Sequence, residues 1–406
     1  MSKVKITFLG DIMCEPLLMK AAQNKYNTYN FDCVFQNIQE LLSESDYVIG
    51  NLETPLAGKE AGYTQGLFEF NAPDEFADAV KKGGIDLVST ANNHCLDRGI
   101  DGLLRTIRVL DEKGIGHTGT FLPEQKRDNA FFFEIKNTRM AVVSYTYGTN
   151  YYENRISLDK MQANMINLLR PQEESCYILN KSTKKPALRK RIWGRFLRNF
   201  PLEQQYAIKR ALRLPYNMAR EDNNLNKSTM LPYIQKMQRD IKSAKEEADF
   251  VFFYPHVGGQ FNLEPGRISK YVFEKAVESG CDAIIASHPH IVQRAEYYGK
   301  VPCFYSLGNF SMSPNSVYLL HENLPDYGIA VHIYIDEGKI IKVTFSILKI
   351  VESSKEPLSV YTVDELYGLL KSTSEKTKLM EEVSQIYQVV TGTQLKNGLV
   401  KREYSF

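Results

Sequence analysis

The chain has 406 residues, 43% of them hydrophobic and 24% charged, with a net charge of +2, proportions that exclude a disordered or fibrous protein. No run of 18 apolar residues occurs, which excludes a bilayer-spanning helix, and the six cysteines lack CxxC spacing, which argues against a zinc knuckle or a disulfide framework. The apolar part of Met1–Gly10 is too short for a signal-peptide core, so the expected location is the cytoplasm.

In chain order, Val4–Leu9 is a short β-rich run, Phe31–Leu42 has helical apolar spacing, and Tyr47–Ile49 returns to strand before Asn51-Leu52-Glu53. Pro73-Asp74 opens a helix through Val80 that Gly83-Gly84 stops. The strand Asp86–Thr90 leads into Ala91-Asn92-Asn93-His94, and a helix follows over Asp101–Lys113. Phe131–Ile135 and Met140–Tyr145, joined by Lys136-Asn137-Thr138-Arg139, read as an antiparallel hairpin. The alternation fails from about Tyr151 to Lys227 and then resumes. It continues with helix Pro232–Glu247, strand Phe250–Tyr254, helix Ser269–Ser279 and strand Ala283–Ala286. Strands Val301–Ser306 and Ile329–Ile335 follow, the latter turning at Glu337-Gly338 into Ile340–Leu348, and helical stretches Val363–Lys371 and Thr377–Val390 come last. Strands before helical crossovers should be parallel and the late hairpins antiparallel, which predicts an α/β protein with mixed sheets and helices outside.

In open α/β sheets the ligand site lies off the carboxyl ends of the strands. Here those ends carry Asp11, Glu53, Asn93-His94, His256 and His288-Pro289-His290, although the chain has only seven histidines. Singly, such residues are more often satisfied structural groups than ligands. Together, carboxylates, amides and imidazoles without a thiolate suit one or two ions of Mn, Fe, Zn or Mg. Pro289 is expected to stiffen the pair and hold His288 extended.

The ordered strings Phe8-Leu9-Gly10-Asp11-Ile12-Met13, Gly50-Asn51-Leu52-Glu53-Thr54-Pro55-Leu56, Ala91-Asn92-Asn93-His94-Cys95-Leu96-Asp97-Arg98-Gly99, Ser287-His288-Pro289-His290-Ile291-Val292-Gln293 and Tyr305-Ser306-Leu307-Gly308-Asn309-Phe310 resemble the CapA family of capsule synthesis proteins. That family is named for poly-γ-glutamate capsules and is similar in fold to calcineurin-like metallophosphoesterases. The resemblance implies a four-layer α/β/β/α sandwich over residues 1–350; the break in alternation marks a basic insertion at 151–227 within it, and the last two helical stretches a C-terminal helical extension at 351–406. The resemblance also implies that Asp11 and His290 hold a first divalent ion, that Asn93, His256 and His288 hold a second, and that Glu53 bridges them. His94, its ring oriented by Asp97, would protonate the leaving group. Two positions depart from the pattern: Met13 stands where metallophosphoesterases usually carry a histidine, and Gln260 removes a carboxylate common in the family.

Residues 181–220 hold 12 Lys or Arg against one acid, Glu203, and surround Trp193 with Ile192, Phe196 and Leu197. Such a segment suits the inner membrane surface, a synthase partner or an anionic polymer, or is a solvated insertion packed on the core. No nucleic-acid module accompanies the charge, so nucleic acid is not expected as a partner. Two functions follow from the resemblance: a metal-dependent hydrolase of a phosphoester or γ-glutamyl amide, or a non-catalytic assembly protein that binds an anionic polymer or a capsule synthase.

Overall fold

A computed structural model describes residues 3–406 except 65, 67–68, 124–129, 176–195, 197–221, 317–318, 320–322, 353–357 and 396–398. The basic stretch 181–220 therefore lies outside the described residues, apart from residue 196. The strands of the first sheet are β1 (Val4–Ile12), β2 (Tyr47–Leu52), β3 (Leu87–Ser89), β4 (Gly116–Thr118), β11 (Tyr327–Asp336), β12 (Lys339–Val351), β13 (Ser359–Thr362) and β14 (Tyr404–Ser405). They run in the order β13-β12-β11-β1-β2-β3-β4, with β14 also on β12. The second sheet comprises β5 (Phe131–Ile135), β6 (Thr138–Thr146), β7 (Phe250–His256), β8 (Ala283–Ile285), β9 (Ala295–Tyr298) and β10 (Val301–Phe304), ordered β5-β6-β7-β8-β10-β9.

Both sheets are mixed, as crossovers and hairpins dictate. β1 to β4 are parallel, whereas β11 runs antiparallel to β1 and to β12. In the second sheet β6, β7, β8 and β10 are parallel, and β5 and β9 are antiparallel edges. The hairpins β5-β6 and β11-β12 each turn through two residues of positive φ, Lys136 (50°) and Asn137 (63°) in one, Glu337 (47°) and Gly338 (71°) in the other. This is the left-handed pair whose twist matches that of the strands.

Alternation of side chains along the strands sends each sheet's apolar residues to both faces. Ile6, Phe8, Ile49 and Leu87 of the first sheet meet Met140, Val142, Phe252, Tyr254 and Ile285 of the second in one buried core between the sheets. The other face of the first sheet, with Leu9, Ile12, Val48 and Val88, is covered by Leu18, Val34, Phe35, Leu41, Leu42, Phe76 and Val80 from the short helices between Pro16 and Lys82. The outer face of the second, with Val143, Tyr145, Val251, Phe253 and Ile284, packs on Met230, Ile234, Met237 and Ile241 of helix Lys227–Glu247 and on Val272 and Phe273 of helix Arg267–Val277. The result is the four-layer α/β/β/α sandwich that the resemblance implies. After Ile350 the chain returns β13 and β14 to the first sheet, and Leu379, Val383, Ile386 and Val390 of helix Thr373–Thr391 pack into the core between the sheets.

Three sequence expectations shift. Phe31–Leu42 is two short helices, Asp32–Phe35 and Gln39–Ser43, because the chain breaks around Asn37, a poor helix former, while both pieces keep their apolar side inward. Helix Lys227–Glu247 begins five residues before Pro232, which sits inside the helix. His288 has φ +111°, not the extended backbone expected before Pro289.

Candidate metal centre

Asp11 and Glu53 come from the first sheet, and His256, His288 and His290 from the second. β1 shifts register against β2 between Phe8 and Asp11, a bulge of the kind that re-aims a side chain at a sheet rim. Gly10 makes this possible, since a Cβ there would lie 2.0 Å from the Gly308 carbonyl oxygen. The amide of Asp11 donates to that same oxygen (3.1 Å), and Phe310 donates to the Asp11 carbonyl (2.8 Å), so the strand end is pinned. Across the cleft, Gly258 at φ +144° would bring a Cβ within 2.7 Å of Pro289, and it lets the loop after β7 close onto His-Pro-His. His288 and His290 themselves have φ +111° and +58°. Left-handed backbone at two non-glycine residues is strain that surrounding structure must hold, and it concentrates at functional sites.

The side chains converge on Glu53. Its carboxylate forms two groups, one with His256 and His288 and one with Asp11 and His290, and within each group one ligand atom per residue lies within 4.8 Å of the others. His256 Nε2 is 3.3 Å and His290 Nε2 3.8 Å from Glu53 Oε1. Asn93 Oδ1 lies 2.7 Å from His256 Nε2, which places Asn93 beside the first of these groups. His290 Nδ1 is 3.4 Å from Asp11 Oδ2. Every one of these residues is at most 4% exposed.

Around them lies a shell of hydrogen-bonding groups. Asn51 Nδ2 donates to Asp11 Oδ1 (2.8 Å), and the His288 amide donates to Asp11 Oδ2 (3.2 Å). Ser287 Oγ sits 3.0 Å from His256 Nδ1, and Asn309 Oδ1 3.0 Å from His290 Nδ1. Three buried atoms stand outside this shell: Glu53 Oε1, Glu53 Oε2 and His288 Nε2 have no hydrogen-bond partner. An orphaned carboxylate in a protein interior costs several kcal/mol unless a cation faces it. The donor set of carboxylates, imidazoles and an amide fits a borderline or hard divalent ion.

The electrostatics agree with that arrangement. Burial pushes the Asp11 carboxyl up, but the hydrogen bond to His290 and the charges of His256 and His290 outweigh it and hold Asp11 at about 2. For His290, burial disfavours the charged ring, yet Glu53 and Asp11 raise it to about 9. His288, buried among His256, His290 and His94, is held well below the ordinary imidazole value and is neutral, the form that can ligate.

His94 stands outside both groups. Its Nδ1 is 2.7 Å from Asp97 Oδ2, which also accepts from the Phe70 amide (3.0 Å), and its ring packs on Phe70 at 4.5 Å. Burial works against a charged His94, but the adjacent Asp97 carboxylate prevails and raises it. Met13 is buried with Phe70, Phe261, Ile291, Met312 and Leu319 in an apolar cluster. Sequence reading missed Asn150 and gave no role to Ser287 or Asn309. Asn309 was visible in its motif string, whereas Asn150 follows β6 without any motif.

Fold and site define an α/β/β/α protein with candidate metal-binding clusters between the carboxyl ends of its two sheets. The chain belongs to the family of bacterial capsule synthesis proteins (PGA_cap), whose model matches residues 5–313. It is similar to the capsule biosynthesis protein CapA of Bacillus anthracis, 25% identical over 311 residues that cover 76% of this chain and 59% of that one. It is also similar to the PGA biosynthesis protein CapA of Bacillus subtilis (strain 168), 23% identical over 306 residues, 75% of this chain and 62% of that one. The chain thus spans about three-fifths of the length of these relatives. Among solved structures, a 5'-nucleotidase from Candida albicans SC5314 aligns with a TM-score of 0.41 and 8% identity over 96% of this chain and 59% of that one. A hypothetical protein from Thermus thermophilus aligns with a TM-score of 0.38 and 12% identity over 88% of this chain and 97% of that one. No helix among the described residues is long and apolar enough to cross a membrane.

Proposed function

We propose that the chain is a metal-dependent hydrolase of bacterial capsule metabolism, acting on a phosphoester or a γ-glutamyl amide of an anionic polymer at or near the inner face of the membrane. The observation that carries this reading is the Glu53 carboxylate, buried without a hydrogen-bond partner between two groups of ligand-type side chains. Asp11, Glu53 and His290 would hold one divalent ion, and Glu53, Asn93, His256 and His288 the other. A bound divalent cation supplies Lewis acidity and a water acidic enough to ionise near neutral pH.

The protein's own groups then have distinct tasks. Ser287 and Asn309 orient the rings of His256 and His290, each facing the Nδ1 atom, as outer partners of ligating histidines do. His94, against whose burial Asp97 raises the ring's proton affinity, is the group placed to give a proton to the leaving group. Phe70 and Phe261 pack on the rings of His94 and His290, with centroids 4.5 and 5.8 Å apart, and hold them in place. Metal analysis of the purified protein, together with hydrolysis of a generic phosphodiester and a γ-glutamyl amide, tests the reading in wild type and His290→Ala. Bound metal and an activity lost in the variant are expected. Metal-free protein with equal background rates in both would defeat it.

A second reading has its own observation. Met13, in the place of a ligand histidine, lies within the apolar cluster and offers no ligand nitrogen, and Gln260 takes the place of a carboxylate, which suits an assembly protein that retains the cleft to bind an anionic polymer or a synthase. Capsule formation that survives Asp11→Ala, with synthase capture intact, would favour this reading over the enzyme.

A further inference from the structure

An amide side chain can ligate a cation only through its oxygen, and its two orientations differ by exchange of O and NH2. Asn93 therefore needs something to fix its orientation. Its Oδ1 lies 2.7 Å from His256 Nε2, on the side of the Glu53 group, while its Nδ2 donates to Asn150 Oδ1 at 3.0 Å. Asn150 is 8% exposed and its own Nδ2 lies 3.3 Å from His94 Nδ1, so one side chain touches both the amide and the ring of the Asn93-His94 pair.

The backbone shows that Asn150 is placed with care. It has φ +50°, the left-handed region that asparagine enters more readily than most residues. Its carbonyl accepts from the amides of Glu153 and Asn154 (both 3.0 Å). Neighbouring Thr149 is held by Gln172 Nε2 on its hydroxyl (2.7 Å) and by Asn154 Nδ2 on its carbonyl (2.8 Å). A rigid loop thus carries one amide across the cleft from the end of β6 to a residue after β3.

We infer that Asn150 is a positioning residue of the metal centre: its Oδ1 engages the Asn93 amide hydrogens and turns Asn93 Oδ1 toward the ion held with Glu53, His256 and His288. The inference rests on the metal-dependent reading above. Rotation of the Asn93 amide without this acceptor would present NH2 to the cation, a repulsive contact in place of a ligand.

The test is calorimetric titration of the full chain with Mn²⁺ after chelator treatment, in wild type, Asn150→Ala and Asn150→Asp, with thermal unfolding of each. Asn150→Ala should weaken one of the two ions by about 10- to 100-fold, the range for loss of an outer partner. Asn150→Asp, which keeps an acceptor oxygen for Asn93, should restore that affinity. Equal Mn²⁺ affinity in wild type and Asn150→Ala overturns the inference alone. Equal losses in Asn150→Ala and Asn150→Asp with unchanged unfolding temperatures also overturn it, since the acceptor would then be irrelevant. Wild type that binds no Mn²⁺ overturns the metal-dependent reading itself.

Discussion

Glu53 stands where the two ligand-type groups meet, with the His256 and His290 rings 3.3 and 3.8 Å from one carboxylate oxygen. Both of its carboxylate oxygens, and Nε2 of the neighbouring His288 ring, are buried without a hydrogen-bond partner, while His256 and His290 have theirs in Ser287 and Asn309. Glu53→Gln removes the charge shared by both groups and should abolish divalent-metal binding in calorimetric titration, whereas Mn²⁺ affinity equal to wild type would show that Glu53 holds no ion. His332 gives a contrasting case. It lies on β11 with Nδ1 2.8 Å from Thr7 Oγ1 and Nε2 3.0 Å from Ser346 Oγ. Burial, aided by the charge of Lys5, lowers it from 6.5 to about 3. A depressed imidazole binds fewer protons folded than unfolded, so its contribution is full above pH 6.5 and is lost as pH falls toward 3. Stability in urea should fall over that window by on the order of 4 kcal/mol from this residue, and His332→Gln should flatten the slope. An unchanged slope would assign acid lability to other groups. The two buried polar residues look alike in sequence, since each follows or lies within an apolar run. Only their partners distinguish them.

At the scale of elements, strand ends were the legible part. Asp11, Glu53, Asn93, His256, His288 and His290 could be read because each stands where an apolar run gives way to polar residues, and a parallel sheet brings such ends together. β4 and β9 were not legible. Gly116-His117-Thr118 and Ala295–Tyr298 are short and partly polar, and pairing with neighbouring strands makes them strands. The geometry of His-Pro-His was also hidden. Proline predicts an extended residue before it, yet the loop after β7 and the fixed site override that preference at His288. Gly258 is the permissive element in that override. Gly258→Ala would combine a φ of +144° with a Cβ 2.7 Å from Pro289 Cγ, and should cost about 2–4 kcal/mol. Metal affinity should fall with it, because the displaced Pro289 carries His288 and His290. Wild-type stability and affinity in this variant would show that the loop yields freely.

Across the whole molecule, the site depends on both sheets, because neither half holds a complete ligand set: Asp11, Glu53 and Asn93 lie at or just beyond strand ends of the first, and the three histidines at or just beyond strand ends of the second. The last helix helps lock the first sheet. Lys349 of β12 reaches Glu382 of helix Thr373–Thr391 and the Tyr327 hydroxyl of β11, both at 2.8 Å, and Tyr327 lies against Gly308 of the loop that pins Asp11. Long-range contacts of this kind leave no local trace, which is why the sandwich could be anticipated from its motifs but Asn150 could not. The most direct measurement of the central claim is an anomalous difference map from crystals soaked in Mn²⁺. Two peaks, one on each side of the Glu53 carboxylate, near His256 and His288 and near Asp11 and His290, are the predicted result. A map without a peak at Glu53 in well-ordered crystals would contradict the account.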